Sequence, residues 1–334
     1  MTRALVVPDK FRGTASAPQI AQSMAEVLED AGYQVETFPM SDGGEGLVEV
    51  MGGANRTLLV TSADGGKVTA GYRLDGDTAV IEMAAAAGLS LMGGAEHNDA
   101  MSGSTRGVGE LIKAAVFGGA KRIIVGCGGS ATTDGGLGAI EALEPVVRLK
   151  GVDLVAAVDV EIRFCEAAIE FAPQKGATAA ESKLLKQRLE ALEQLYLRRF
   201  GVDISSLKGG GAAGGLAGGL AAIGARIIPG FDVASEALGL YEALEGASLI
   251  VTGEGYLDSQ SFNGKVVGQV VSIAQAHSIP YLVVVGDFVP EVRNSRSDHS
   301  KIYSLVEQVG EEKAFTETLK SVKLVLASAL RSEK

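Results

Sequence analysis

With 334 residues and 46% hydrophobic side chains, the chain is long enough for about two domains with sizeable cores and too apolar for wholesale disorder. Its 30 basic and 41 acidic residues leave a formal charge of −11, and no basic run offsets it, which argues against nucleic acid and anionic membrane as partners. An anionic metabolite would need local Lys, Arg, backbone N–H groups or Mg2+ to hold it.

The run Leu5–Val7 reads as a first strand, too short in apolar length for a signal peptide. It leads through Pro8-Asp9 to a helix from about residue 18 to 31. Ser41-Asp42-Gly43-Gly44-Glu45-Gly46 follows, with two acids three residues apart among glycines. That spacing suits a metal or nucleotide loop, with Asp42 and Glu45 as hard oxygen ligands, and equally a capping box. Residues 57–62, 68–74 and 78–83 read as strands, and Gly65-Gly66 and Asp75-Gly76-Asp77 supply antiparallel turns. A strand at 123–125 enters the loop Gly128-Gly129-Ser130-Ala131-Thr132-Thr133-Asp134-Gly135-Gly136, and a helix starts near Leu137. Residues 181–200 form an amphipathic helix with Leu184, Leu185, Leu189, Leu192 and Leu195 near helical spacing. From Gly209 to Ala225 no charge occurs, but Gly and Ala dominate and the stretch falls short of a membrane span. A strand at 249–251 leads into Thr252-Gly253-Glu254-Gly255 and a helix at about 265–276; another at 282–285 ends in Gly286-Asp287; a last helix spans about 311–331.

Strand, glycine-and-acid loop, then helix is the rhythm of a parallel sheet with helices on both faces, whose ligands sit beyond the carboxyl ends of the strands. The expected fold is therefore α/β with two domains. A Rossmann- or flavodoxin-like domain takes 1–47, 102–150 and 236–334, and an inserted mixed α/β domain takes 48–101 and 151–235.

Among the loops, 126–136 carries the strongest signal. Its glycines let backbone N–H groups approach an anion, Ser130, Thr132 and Thr133 add hydroxyls, and a helix start follows. Asp134 suits a proton acceptor or Mg2+ ligand, or simply a helix cap. Glu254 and Asp258 lie upstream of Asn263-Gly264-Lys265, a carboxylate-plus-lysine pattern that suits a metal-bound polyphosphate. Phe171-Ala172-Pro173-Gln174-Lys175-Gly176-Ala177 reads as a phosphate contact or an ordinary loop. Gly209-Gly210-Gly211-Ala212-Ala213-Gly214 matches GxGxxG, but without a preceding strand it argues for close backbone packing, or approach to a nucleotide, rather than a nicotinamide cofactor. There is no GxxxxGK[ST]. Cys127 and Cys165 form no framework, and His97, His277 and His299 make neither a zinc site nor a dyad, so base work falls to a carboxylate.

Taken in order, Pro8-Asp9-Lys10-Phe11-Arg12-Gly13, the Asp42 loop, Ile81-Glu82-Met83-Ala84, the Gly128 loop, Pro173–Ala177, Gly211–Gly215 and Glu254–Lys265 resemble the glycerate kinase family that includes bacterial glycerate 2-kinases. The resemblance spans about residues 3–286. It implies ATP, Mg2+, a two-domain α/β fold and γ-phosphoryl transfer to a hydroxyl of D-glycerate. Departures fall at Lys10 and Arg12, where the family has Ser and Lys, in a shorter 144–155 stretch, and at Ala156-Ala157-Val158-Asp159-Val160-Glu161, where its Cys-Asp-Val-Asp-Asn-Pro is altered. On this basis Asp134, Lys265 and Arg12 are the expected catalytic residues, with Asp134 as base. Asp9, Ser130 and Thr133 are expected to bind substrate. Gly128, Gly129, Lys175, Gly253 and Gly255 should contact the nucleotide, and Asp42, Glu254 and Asp258 the metal. The expected protein is a cytoplasmic kinase for a small molecule, and a homodimer is compatible with it. The alternatives are a degenerate member that binds without turnover and a kinase for another small hydroxy acid.

Overall fold

The computed structural model describes residues 2–258, 261, 265–289 and 302–332, so Asn263 and Gly264 lie outside the described residues. The strands are β1 (Arg3–Val6), β2 (Gln34–Thr37), β3 (Arg56–Thr61), β4 (Lys67–Asp75), β5 (Thr78–Glu82), β6 (Arg122–Gly126), β7 (Asp153–Val158), β8 (Arg226–Pro229), β9 (Leu249–Leu257), β10 (Tyr281–Phe288) and β11 (Ile302–Ser304). The chain divides into two compact units, Met1–Asp42 with Ala234–Lys334, and Gly43–Val233 inserted between them.

The first unit holds a five-stranded, all-parallel sheet in the order β11-β10-β9-β1-β2. Ala4, Leu5 and Val6 are fully buried, as continuous apolar strands between two helical layers must be. Helix Ala17–Asp30 buries Ile20, Met24 and Leu28, one side of a 3.6-residue period. Its start is fixed by Pro18 in the first turn and by Gln19, whose Oε1 accepts the Ser16 N–H at 3.0 Å. From β1 the chain moves outward to β2, then re-enters at β9 on the other side of β1. The strand order therefore reverses between β1 and β9, where open α/β sheets place their ligands.

The second unit holds a six-stranded sheet, β3-β4-β5-β6-β7-β8, antiparallel across β3, β4 and β5 and parallel from β5 to β8. The predicted hairpins are the antiparallel part. Residues 102–150, expected beside the chain ends, fall in this unit instead: β6 pairs with β5 and β7, so the mixed sheet keeps its sequence neighbours together. A strand–loop–helix repeat looks the same in either sheet, which is why the pattern alone assigned it to the other one.

Helix Ala179–Phe200 buries Leu185, Leu189 and Tyr196, with Leu192 partly buried, whereas Leu184 is 50% exposed. The apolar stripe thus starts one residue later than the leucine pattern implies. The predicted last helix is two, Glu311–Thr316 and Thr318–Ser332, because Glu317 leaves helical geometry at φ −127° and ψ 40°. The charge-free stretch becomes turns and a buried short helix, Leu216–Ala222. No helix among the described residues is long and apolar enough to cross a membrane.

Candidate active site

In the first unit, the strand reversal gathers acids. The Asp9 N–H donates to the Gly253 carbonyl at 2.8 Å, continuing the β1–β9 ladder past β1 and setting Asp9 beside Glu254 of β9. The Thr252 hydroxyl donates to the Val7 carbonyl at 2.7 Å, closing the same seam. Burial, reinforced by the Asp42 and Glu254 charges and opposed by the Lys10 N–H on Oδ1 at 2.7 Å, pushes the Asp9 carboxyl up to about 7. Burial likewise raises Glu254 to about 7, against a hydrogen bond from Ser261 and the charge of Lys265 and with the charges of Asp258 and Asp42. Among the described residues the buried Glu254 Oε1 has no hydrogen-bond partner. Asp9, Asp42, Glu254, Asp258 and Lys265 are thus electrostatically one group, although they come from four stretches of sequence.

Asp258 itself is committed to a local turn, its Oδ1 accepting the Ser261 N–H at 2.9 Å and the Ser261 hydroxyl at 3.2 Å. Lys265 is half-buried at the N-cap of helix Val266–Ala276, and Arg12 is exposed in the turn after β1. Gly253 and Gly255 prove to be strand residues of β9. A Cβ on Gly253 would overlap the Val284 carbonyl, and one on Gly255 would sit 3.0 Å from the Arg12 nitrogen, so both serve close backbone approach.

In the second unit, loop 126–136 is more deeply buried than an open anion cradle. Ser130, Thr132 and Thr133 are buried, and only Gly129 is exposed. Backbone bonds stitch it to the segment after β5, with Leu89 N–H donating to Gly129 O and Ala131 N–H to Ala87 O, at 2.8 and 2.9 Å. The Gly43–Gly46 loop lies directly against it: a Cβ on Gly128 would overlap Gly44 Cα, and one on Gly129 would sit 2.6 Å from the Glu45 Oε1. The GxGxxG stretch packs on its other end, where the Gly135 N–H donates to Gly214 O at 3.1 Å.

Asp134 is engaged by four donors. Its Oδ2 accepts the Thr105 N–H and hydroxyl, each at 2.8 Å, and the Gly138 N–H at 3.2 Å, while Oδ1 accepts the Gly136 N–H at 3.1 Å. Burial raises its carboxyl above the usual range, and these four hydrogen bonds oppose that rise. Two of these donors, the Gly136 and Gly138 N–H groups, lie at the start of the helix that follows. Lys175 is buried, its Nζ donating to the Thr132 carbonyl at 2.6 Å, and desolvation lowers its ammonium to about 7 against the opposing charge of Asp134. It ties down the loop at the Thr132 carbonyl. The buried Thr132 and Thr133 hydroxyl oxygens have no partners among the described residues.

Three residues without an assigned role matter here. Thr105 clamps Asp134 and accepts the Ala139 N–H through Oγ1 at 3.1 Å. Asn98 donates to both the Ala131 and Lys175 carbonyls, at 3.0 and 2.8 Å. Glu82 accepts the Gly46 and Val48 N–H groups through Oε1 at 3.0 and 2.8 Å, fixing the start of the short helix after the Asp42 loop. A Ser104-Thr105 pair ahead of the helix Arg106–Phe117 signals a helix start in sequence; the Asn98 bridge has no such sign.

The Glycerate kinase family model matches residues 4–147 and 144–332. The chain belongs to this family. It is 34% identical over 333 residues to the glycerate 2-kinase of Escherichia coli strain K12, covering 87% of this chain and 86% of that one. It is 34% identical over 324 residues to a glycerate kinase of Bacillus subtilis strain 168, covering 85% of each. The crystal structure of a putative glycerate kinase 2 from Salmonella typhimurium LT2 superposes with a TM-score of 0.82 at 30% identity, covering 99% of both chains. The protein is thus a two-unit α/β kinase enzyme of this family.

Proposed function

We propose that the protein transfers the γ-phosphoryl group of ATP to a hydroxyl of D-glycerate, with Mg2+ accompanying the nucleotide. The observation that carries it is the buried acid group at the β1–β9 reversal. Asp9 stands at the end of β1 beside Glu254 with its carboxyl raised by burial, a position and direction that suit accepting a hydroxyl proton, so we assign the base role to Asp9. Asp134 is the less suited of the two, since four donors already occupy its oxygens.

Among the described residues no three metal-ligating side chains stand close enough to hold a cation alone. Mg2+ keeps waters and is held by one or two carboxylates plus substrate phosphates. The partnerless Oε1 of Glu254 and the neighbouring Asp42 charge are the donors that fit it, and Mg2+ would neutralise the phosphates there. Lys265 and Arg12 add positive charge for the polyphosphate. In the second unit, Gly128 and Gly129 allow close backbone approach.

Release of ADP in a coupled assay with D-glycerate tests this, and absence of turnover above buffer at millimolar substrate overturns it. Phosphorus NMR of the product identifies the hydroxyl used. A second reading, a kinase for another small hydroxy acid, draws on the altered 156–161 segment, where Asp159 is exposed past β7 and Glu161 pairs with Lys208 at 2.7 Å. A substrate panel in the same assay separates the two.

A further inference from the structure

A cavity of about 540 Å³ lies wholly within the second unit, bounded by helix Ala179–Phe200, helix Leu137–Leu143 and residues 101–104. It shares Thr133 and Asp134 with the loop 126–136, but Gly128, Gly129, Ser130 and Lys175 take no part in it. The wall supplied by the long helix is apolar, with Ala191, Leu192 and Leu195. Arg188 and Arg198, both exposed, add two guanidinium groups to the lining. Arg188 spends one N–H on the Met101 carbonyl at 2.8 Å, and Arg198 makes no hydrogen bond or ion pair among the described residues. Thr133 is only 3% exposed, yet its hydroxyl has no partner among the described residues. A buried hydroxyl without a partner is a standing cost that a ligand oxygen would relieve.

We propose that this cavity is a second ligand site, taking a small carboxylic acid with an aromatic or hydrocarbon body. The Arg198 guanidinium can take a carboxylate through two parallel N–H groups, and the leucine wall accepts the apolar body. Glu141 also lines the cavity and Asp134 lies at its edge, so summed charge does not select an anion. Asp134 is already engaged by its four donors and Arg188 by the Met101 carbonyl, which leaves Arg198 to set the ligand's polarity. Glycerate fits poorly, because it is polar at every carbon and would leave its hydroxyls against leucine.

Calorimetric titration of the full chain with sodium benzoate and sodium hexanoate, with benzamide as the uncharged control, tests the site without reference to turnover. Saturable binding of at least one carboxylate, weakened about tenfold or more by Arg198→Gln and lost in Ala191→Phe, is the expected result. Arg198 and Ala191 are exposed helix positions, and thermal unfolding of each variant verifies its fold. No saturable heat with either carboxylate overturns the proposal, as does binding that both variants leave unchanged. Displacement of benzoate by D-glycerate also overturns it, since the cavity would then be the acceptor site.

Discussion

The Lys175 ammonium donates to the Thr132 carbonyl at 2.6 Å, buried in the second unit, and the Asn98 amide ties the Lys175 carbonyl to that of Ala131. One lysine therefore fixes the backbone of the loop through its tip and its own main chain. A buried ammonium held near 7 also makes stability depend on pH. Between about 7 and the ordinary lysine value of 10.5, the unfolded chain binds the proton that the folded chain has lost. Stability from this group accordingly rises with pH across that range. Relative to Lys175→Met, wild-type unfolding free energy should gain about 2 kcal/mol between pH 7 and 9. In turnover, the same variant should lower kcat while leaving KM for ATP nearly unchanged, because the side chain positions Thr132 and touches no phosphate. Urea unfolding across pH and steady-state kinetics measure the two effects, and a KM rise at constant kcat would return Lys175 to the nucleotide.

Asp134 separates a cap from a base. In Asp134→Asn the carboxamide offers one acceptor oxygen where Thr105, Gly136 and Gly138 bring donors to two. The expected loss is roughly 2 kcal/mol of stability. Turnover should fall by less than about a hundredfold, the lower end of what loss of a general base costs. A variant of normal stability and no measurable turnover would instead make Asp134 the base.

The two acid groups explain how much could be seen beforehand. Parallel strands, the hairpins and the loop-before-helix rhythm follow from local periodicity, and each chemistry-bearing loop announced itself by glycine and acid. Local pattern carries no information on which sheet a strand joins, so 102–150 went to the other unit. It is equally silent on burial. Lys175 and Asp134 have the side chains of a binding site, but three-dimensional packing turns the first inward and surrounds the second with N–H groups. Asp9 is expected from its motif to bind substrate, but its raised carboxyl depends on Asp42 and Glu254, which lie 33 and 245 positions away.

Asp9 predicts a pH effect of opposite sign to Lys175. Its folded-state carboxyl is raised to about 7 from 3.8, so the folded chain keeps a proton that the unfolded chain releases between those values. Stability falls as pH climbs through that window, and Glu254, also raised to about 7, adds to the fall. Asp9→Asn should therefore be more stable than wild type at pH 8, by on the order of 2 kcal/mol, and equal to it near pH 4. Turnover should drop by about a hundredfold or more, with loss of the ionisation near 7 in the pH profile of kcat/KM. A variant that keeps that ionisation removes Asp9 from the base role.

Gly128 and Gly129 stand side by side and should respond differently to a methyl group. At Gly128 the added carbon meets the Gly44 backbone, which moves only if the 43–46 loop moves with it. At Gly129 it meets the end of the Glu45 side chain, which can rotate away, and the cost is then mainly that of φ +66° in a residue with a Cβ. Gly128→Ala is expected to cost about 3 kcal/mol, and Gly129→Ala about 1 kcal/mol. Since Gly129 is the exposed member of the loop, its substitution should still raise KM for ATP if phosphate approaches the backbone there. Thermal unfolding ranks the two costs. A Gly129→Ala enzyme with wild-type KM for ATP and full kcat would mean that no phosphate comes near this backbone.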